Sequence, residues 1–339
     1  MPPARPRAPH RRALRLLTVV LAFLLAAAAG GPAAARAQPA LRFRHLGVDD
    51  GLPSAHVSDI VRARDGVMWL GTAAGLVRYD GHRFRVYAHD PADPASLPPG
   101  LVARVYEDRA GALWVVTPTA LSRYDADRDR FTHFLVERAP PPGAAPREVT
   151  HVVEDAAGAL WVATSRGLFT LDRRTGRARP SPLPEAGYVM RLLADPRGGV
   201  WVGTRLGLWH VRAPGDAAPR HFPYVPGDPR ALPDSLVIAL ALDRGGDLWV
   251  GTGYGGVGRL DVATGRFTRY RHDPRDPASI AKNRVPVLLP DRGGRGVWVG
   301  TENGGLDWLD PATGRAAHHR FSADRPSGVG SNSIWTLHQ

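Results

Sequence analysis

From residue 41 onward the chain alternates short apolar runs with turns rich in Gly, Asp and Pro. In the first stretch, residues 57–63 alternate loosely between apolar and polar, and Asp65-Gly66 supplies a turn. Met68–Thr72 is a β-rich run, Ala73-Ala74-Gly75 turns again, and residues 76–79 form a third run. After Asp80-Gly81, the segment Phe84–Tyr87 alternates once more. Short runs of this kind joined by tight turns predict four antiparallel strands in a meander. No long 3.6-residue apolar period occurs here, so a helical repeat is not expected.

The same unit returns five more times. Trp69, Trp114, Trp161, Trp201, Trp249 and Trp298 stand 45, 47, 40, 48 and 49 residues apart. Around each runs a turn with Asp and Gly, then Trp-apolar-small-Thr, then usually Gly-Leu and an Asp, as in Asp155-Ala-Ala-Gly158-Ala-Leu-Trp161-Val-Ala-Thr164. Such a period marks a propeller or solenoid, and four short strands per period select the propeller. The recurring residues have structural tasks. The Asp-x-x-Gly turn needs a side chain that bonds nearby backbone and a glycine that tolerates positive φ. The Trp falls on the second strand, where its flat ring fills the space between blades, and the Thr hydroxyl pairs with local backbone.

The expected fold is all-β: a β-propeller of four-stranded antiparallel blades, six complete repeats plus a partial seventh. Residues 330–339 match the linker and first strand of another unit, and residues 41–46 look like an outer strand supplied from the other end. An incomplete ring, open or strained at one seam and truncated at the C-terminus, is therefore expected. The length of 339 residues would otherwise suggest two domains.

Composition narrows the chemistry. Hydrophobic residues at 43 % and charged residues at 22 % are ordinary globular usage, which argues against general disorder. With no cysteine, disulfides, thiolate metal sites and a cysteine nucleophile are excluded. The formal charge of +12 suggests nucleic acid until it is located. Six arginines, from Arg5 to Arg36, lie in the first 37 residues, and the first acid is Asp49. Basic start, apolar run 16–29, Gly30-Gly31-Pro32 and Ala33-Ala34-Ala35-Arg36-Ala37 follow the order of a secretory signal peptide; an uncleaved anchor is the alternative. The expected division is a signal peptide over 1–37, cleaved near Ala37, and an exported or periplasmic propeller over 38–339. Removing the first 37 residues halves the net charge to +6. The remaining arginines are interspersed with acids and form no aromatic-basic stripe, so no nucleic-acid partner is expected.

On these motifs the units resemble the two-component regulator propeller repeat. The closest stretches are Trp249-Val-Gly251-Thr252 with Gly255-Gly256, Trp298-Val-Gly-Thr301-Glu-Asn-Gly-Gly305-Leu306, the linkers His89-Asp-Pro and His272-Asp-Pro, and the opening Gly51-Leu52-Pro53. Departures are local: Val116 and Ala163 replace the Gly before Thr, Ala120 replaces the Gly before Leu121, and the sixth turn from Asp291 is one residue longer. The resemblance implies an exported ligand-sensing propeller, the input region of a sensor histidine kinase whose kinase module is not in this chain, and signalling through paired subunits, hence a homodimer. The implied ligand is a small molecule or oligosaccharide, with no cofactor and no enzymatic activity.

Ligands of propellers usually meet one face, where the loop after the second strand varies within a repeating frame. There Arg166, Arg205, Tyr254, Glu302 and Asn303 offer polar and stacking groups suited to a polyol or anion; the bland alternative is solvated loop residues. Gly251-Thr-Gly253-Tyr-Gly255-Gly256 lacks the βαβ setting of a dinucleotide loop. His318 and His319 are adjacent on a strand, so their rings should face opposite ways and share no metal. The alternative function is a propeller enzyme of the streptogramin-lyase type, which needs a His and an acid converging on the central face; His151 and His56 are the candidates.

Overall fold

The computed structural model describes residues 43–134, 148–183, 188–325 and 327–339, so the expected signal peptide lies outside the described residues. Within them, twenty-four strands, β1–β24, form six four-stranded antiparallel sheets, each a simple meander. The first comprises β1 (Val57–Arg62), β2 (Met68–Thr72), β3 (Gly75–Tyr79) and β4 (Phe84–Tyr87), which are the segments the alternation predicts. Among the described residues no helix is long and apolar enough to cross a membrane.

The repeat residues do most of what was expected of them, and the Asp does more. In the third blade the Asp155 Oδ1 accepts the amides of Ala157 and Ala159, both at 2.9 Å, and so closes the turn into β10 (Leu160–Thr164). Its other oxygen accepts the indole N–H of Trp161 at 2.7 Å. The same indole bond joins Trp114 to Asp108, Trp201 to Asp195 and Trp249 to Asp243. A buried indole can therefore fill the core without stranding its polar N–H. Ala63 stands where the first blade would need that Asp, and the longer sixth turn shifts Asp291 by one residue.

Each second-strand Thr is buried and donates its hydroxyl across the following turn. The acceptors are the carbonyls of Gly75, Ala120, Gly167, Gly207, Gly256 and Gly305, at 2.8 to 3.3 Å. Gly75, at φ 127°, is required here: a Cβ would lie 2.3 Å from the Tyr87 carbonyl oxygen.

The core sits between blades. Trp161 packs with Val189, Leu192, Val200 and Val202 of the next blade, and Trp201 with Val237, Leu248 and Val250 of the one after. The inner strands β1, β5 (Arg104–Glu107), β9 (Val149–Glu154), β13 (Val189–Ala194), β17 (Val237–Leu242) and β21 (Val287–Pro290) pack in succession around one axis. A backbone bond ties neighbours together: the amide of Val102 donates to the Thr72 carbonyl at 3.0 Å, and that of Val285 to Thr252 at 3.1 Å.

Beyond β21 that position is taken by the C-terminal segment. The Ile334 amide donates to the Thr301 carbonyl at 3.1 Å, and Thr336 lines the same central space as Asp59 of β1. Residues 333–337 thus stand as a seventh inner segment and close the circle around the axis. The expected outer strand at 41–46 differs: residues 43–47 are not in a strand, and the Phe43 amide donates to the Ser327 carbonyl at 3.0 Å. Among the described residues no middle strands join these two pieces, so neither has a full ladder to pair with. The seam is confined to the outer part of the ring.

Candidate functional site

The inner strands carry a recurring irregularity. The register between inner and second strand shifts at Ser58, Thr150, Met190 and Ile238, one residue after the strand's first apolar anchor. A bulge of this kind re-aims the residues beside it. The Ser58 hydroxyl donates to the Gly71 carbonyl at 3.0 Å and also contacts the Val102 carbonyl; the Thr150 hydroxyl donates to Val189 O at 2.7 Å. The bulge position thus binds the neighbouring blade, and the next residue lines the axis.

Around the ring the corresponding residues are Asp59, Arg104, His151, Arg191, Ala239, Val287 and Thr336 in turn. All seven border one central cavity of about 250 Å³. Arg104 Nη1 donates to the carbonyls of Ala103 at 2.7 Å and Ser58 at 3.2 Å. Arg191 Nε donates to Ile238 O at 2.6 Å, and its Nη2 reaches Pro286 O two blades on at 3.3 Å. The Asp59 carboxylate accepts the Val105 amide at 3.0 Å.

Electrostatics follow from this enclosure. Burial holds the His151 imidazole down to about 3, the Arg104 cation adding to the effect, so it is neutral at pH 7. Burial raises the Asp59 carboxyl, with the Arg104 charge and the Val105 amide opposing. His151 Nδ1 is buried and has no hydrogen-bond partner. Of the two histidines proposed for a central site, His151 lies in the cavity and the exposed His56 does not line it.

The five loop residues are spread over the β-hairpin turns of four successive blades. Arg205 lies over the Tyr188 ring at 4.8 Å, and Tyr188 donates to Glu148 at 3.1 Å. Glu302 pairs with Arg284. Asn303, at φ 63°, accepts from the Ser333 hydroxyl at 3.1 Å. The Arg166 amide donates to Thr164 Oγ1 at 3.1 Å. Tyr254 is 68 % exposed, its amide bonded to Asp234 at 2.8 Å. None of the five lines the central cavity. His318 and His319 do face apart: His318 Nδ1 meets Asp307 at 2.6 Å, while His319 tilts against Trp298. Among the described residues no cluster of three metal-ligating side chains occurs.

The cavity residues were not singled out in the sequence, apart from His151. A signal was present: Asp59, Arg104, His151 and Arg191 each stand ten residues before their Trp, polar groups at one repeated position of the inner strand.

The described extracellular domain of the hybrid two component system BT3049 from B. thetaiotaomicron is similar with a TM-score of 0.72 and 21 % identity, over 88 % of this chain and 39 % of that one. A catalytically inactive virginiamycin B lyase from Staphylococcus aureus, solved with quinupristin, is similar at a TM-score of 0.57 and 16 % identity, over 78 % of this chain and 83 % of that one. At these identities the likeness shows the fold alone. In sequence, 48 residues are 42 % identical to histidine kinase P4 of Formosa agariphila, spanning 14 % of this chain and 4 % of that protein. The two component regulator propeller family matches at residues 51–74 and 231–254, the first and fifth blades. The described residues form six four-stranded blades of a β-propeller, and two stretches of it match the two component regulator propeller repeat.

Proposed function

We propose that this chain is an exported sensing propeller, the input part of a two-component signalling protein. The observation that carries the reading is the family's repeat, matched in two blades of a ring whose hairpin turns keep a constant frame and vary in side chain. The fold shared with an extracellular domain of a hybrid two component system is consistent with it. In this reading residues 1–37 direct export, with cleavage near Ala37. Arg166, Arg205, Tyr254, Glu302 and Asn303 present a ligand-binding face to a small molecule or oligosaccharide, and a histidine kinase module in a paired subunit receives the signal.

Three of these side chains already have partners that hold them in place, which lowers the entropy a ligand must overcome. Tyr254 offers an open ring for stacking on a sugar face. The test is an oligosaccharide array probed with the purified propeller, followed by titration of any hit against Tyr254→Ala and Arg205→Ala. Binding lost in both variants supports the face. Binding indifferent to both removes it.

A second reading, a propeller lyase, is favoured by one observation: His151 shares the central cavity with Asp59, Arg104 and Arg191. An imidazole held near 3 is a poor general base at neutral pH, since the best catalytic pKa lies close to the working pH. The sensing reading is therefore preferred. Turnover of quinupristin that disappears in His151→Ala would reverse the preference.

A further inference from the structure

We propose that the central cavity is a binding site for a small organic carboxylate, held by Arg104, His151 and Arg191 with its hydrocarbon part against Ala239 and Val287. The three polar residues occupy the same repeat position on the consecutive strands β5, β9 and β13, so they form one continuous arc with His151 between the two guanidiniums. The next two positions around the axis, Ala239 and Val287, are apolar. The cavity is thus polar on one side and greasy on the other, the character of a small-ligand site in which few polar groups set the orientation.

Charge points the same way. Arg104 and Arg191 bring two positive charges to the cavity, and Asp59 is the one carboxylate lining it. Asp59 is also engaged by the Val105 amide. Surplus buried charge is costly, and an entering carboxylate offsets it. The guanidiniums keep capacity for such a guest. Each is anchored to main-chain carbonyls through part of its fork, leaving Arg104 Nη2 and Arg191 Nη1 without an acceptor among the described residues. Their anchoring fixes the forks in advance, which suits charge-assisted bonds to a planar oxyanion. The His151 imidazole lies between them in the same arc and gives the cavity a third polar side chain.

Size sets the class. A cavity of about 250 Å³ suits one compact acid. The site is distinct from the hairpin-turn face proposed above, and failure of either leaves the other standing.

The test uses the whole propeller with benzoate as probe, benzyl alcohol as its neutral counterpart and inorganic phosphate as an anion without hydrocarbon. Titration calorimetry at constant ionic strength is expected to show one benzoate per chain, no binding of benzyl alcohol and weaker binding of phosphate. Arg104→Met and Arg191→Met are each expected to weaken benzoate at least about tenfold, whereas the loop variant Arg275→Met leaves it unchanged. Both arginines also brace main-chain carbonyls, so a readout free of substitution is needed. In the unaltered protein, benzoate should shift the ring resonances of His151 and leave those of the exposed His82 in place. No benzoate binding at about 10 mM, phosphate binding more tightly than benzoate, or a silent His151 would each overturn the proposal.

Discussion

The amide of Ile334 donates to the carbonyl of Thr301 at 3.1 Å, the bond that Val285 makes to Thr252 at 3.1 Å and Val102 makes to Thr72 at 3.0 Å. The side chains repeat the match. A Cβ on Gly300 would lie 2.9 Å from Ile334 Cγ2, and one on Gly251 would lie 3.0 Å from Val285 Cγ1. Ile334 is therefore to the sixth blade what Val285 is to the fifth, the anchor of the next inner segment.

If Ile334 anchors the closing segment, Ile334→Asp puts a charge against the sixth blade and should lower stability by about 2 kcal/mol. Urea unfolding measures this. Phe321→Asp, at an exposed position in the same C-terminal stretch, should stay within about 0.5 kcal/mol. Equal effects would show that residues 333–337 contribute no closure.

Asp155→Ala should cost about 2–3 kcal/mol. It strands the buried Trp161 N–H and frees two turn amides at once. Asp155→Asn, which keeps an acceptor oxygen, should cost less. The midpoints of chemical denaturation decide between them, and a harmless alanine would refute the role given to the Asp-Trp bond.

Gly251→Ala tests how closely the blades approach. The added methyl would sit 2.4 Å from the Val285 carbonyl oxygen, a backbone atom that cannot swing aside. Overpacking of this kind costs about 1–3 kcal/mol. A melting temperature equal to that of the parent protein would mean the blades can part without penalty.

Stability should fall with acid through His151. The unfolded imidazole titrates at 6.5 and the folded one near 3, so between these values only the unfolded chain takes up the proton. The contribution is complete above pH 6.5 and is lost as pH falls, by up to about 1.4 kcal/mol per unit, levelling off below about 3. Arg104, Arg191 and Asp59 face the ring in the cavity and remain in every measurement. The difference in unfolding free energy between pH 7 and pH 5 should shrink in His151→Gln. An unaltered difference would place the ring in solvent.

Much of the ring was legible along the chain because its information is local. The first blade shows this: Met68–Thr72 and Phe84–Tyr87 are strands with the expected limits. The hydroxyl bonds of the six Thr residues span three or four positions and belong to the turn itself. The indole bonds were less visible. Asp155 and Trp161 are six residues apart, but nothing in their spacing shows that the carboxylate turns one oxygen to the loop and the other to the ring.

The candidate site was hardly legible. Arg104, His151 and Arg191 are separated by 47 and 40 residues, and each alone looks like a polar residue on a half-buried strand. They meet because successive blades repeat one register and place the same position at the axis. The hairpin-turn residues, by contrast, stood out in the sequence and remain spread over four blades.

The sequence by itself determined the repeating unit: its strands, its turns, its Trp and Thr anchors, and how many complete blades there are. These depend on side-chain periodicity, turn conformation and contacts within a few residues. Only the tertiary structure decided what stands between the sixth and first blades and which charges share the axis. Both depend on how the blades close into a ring, which brings Thr336 to Asp59 across 277 residues of chain. No local preference encodes that distance; packing around a common axis does.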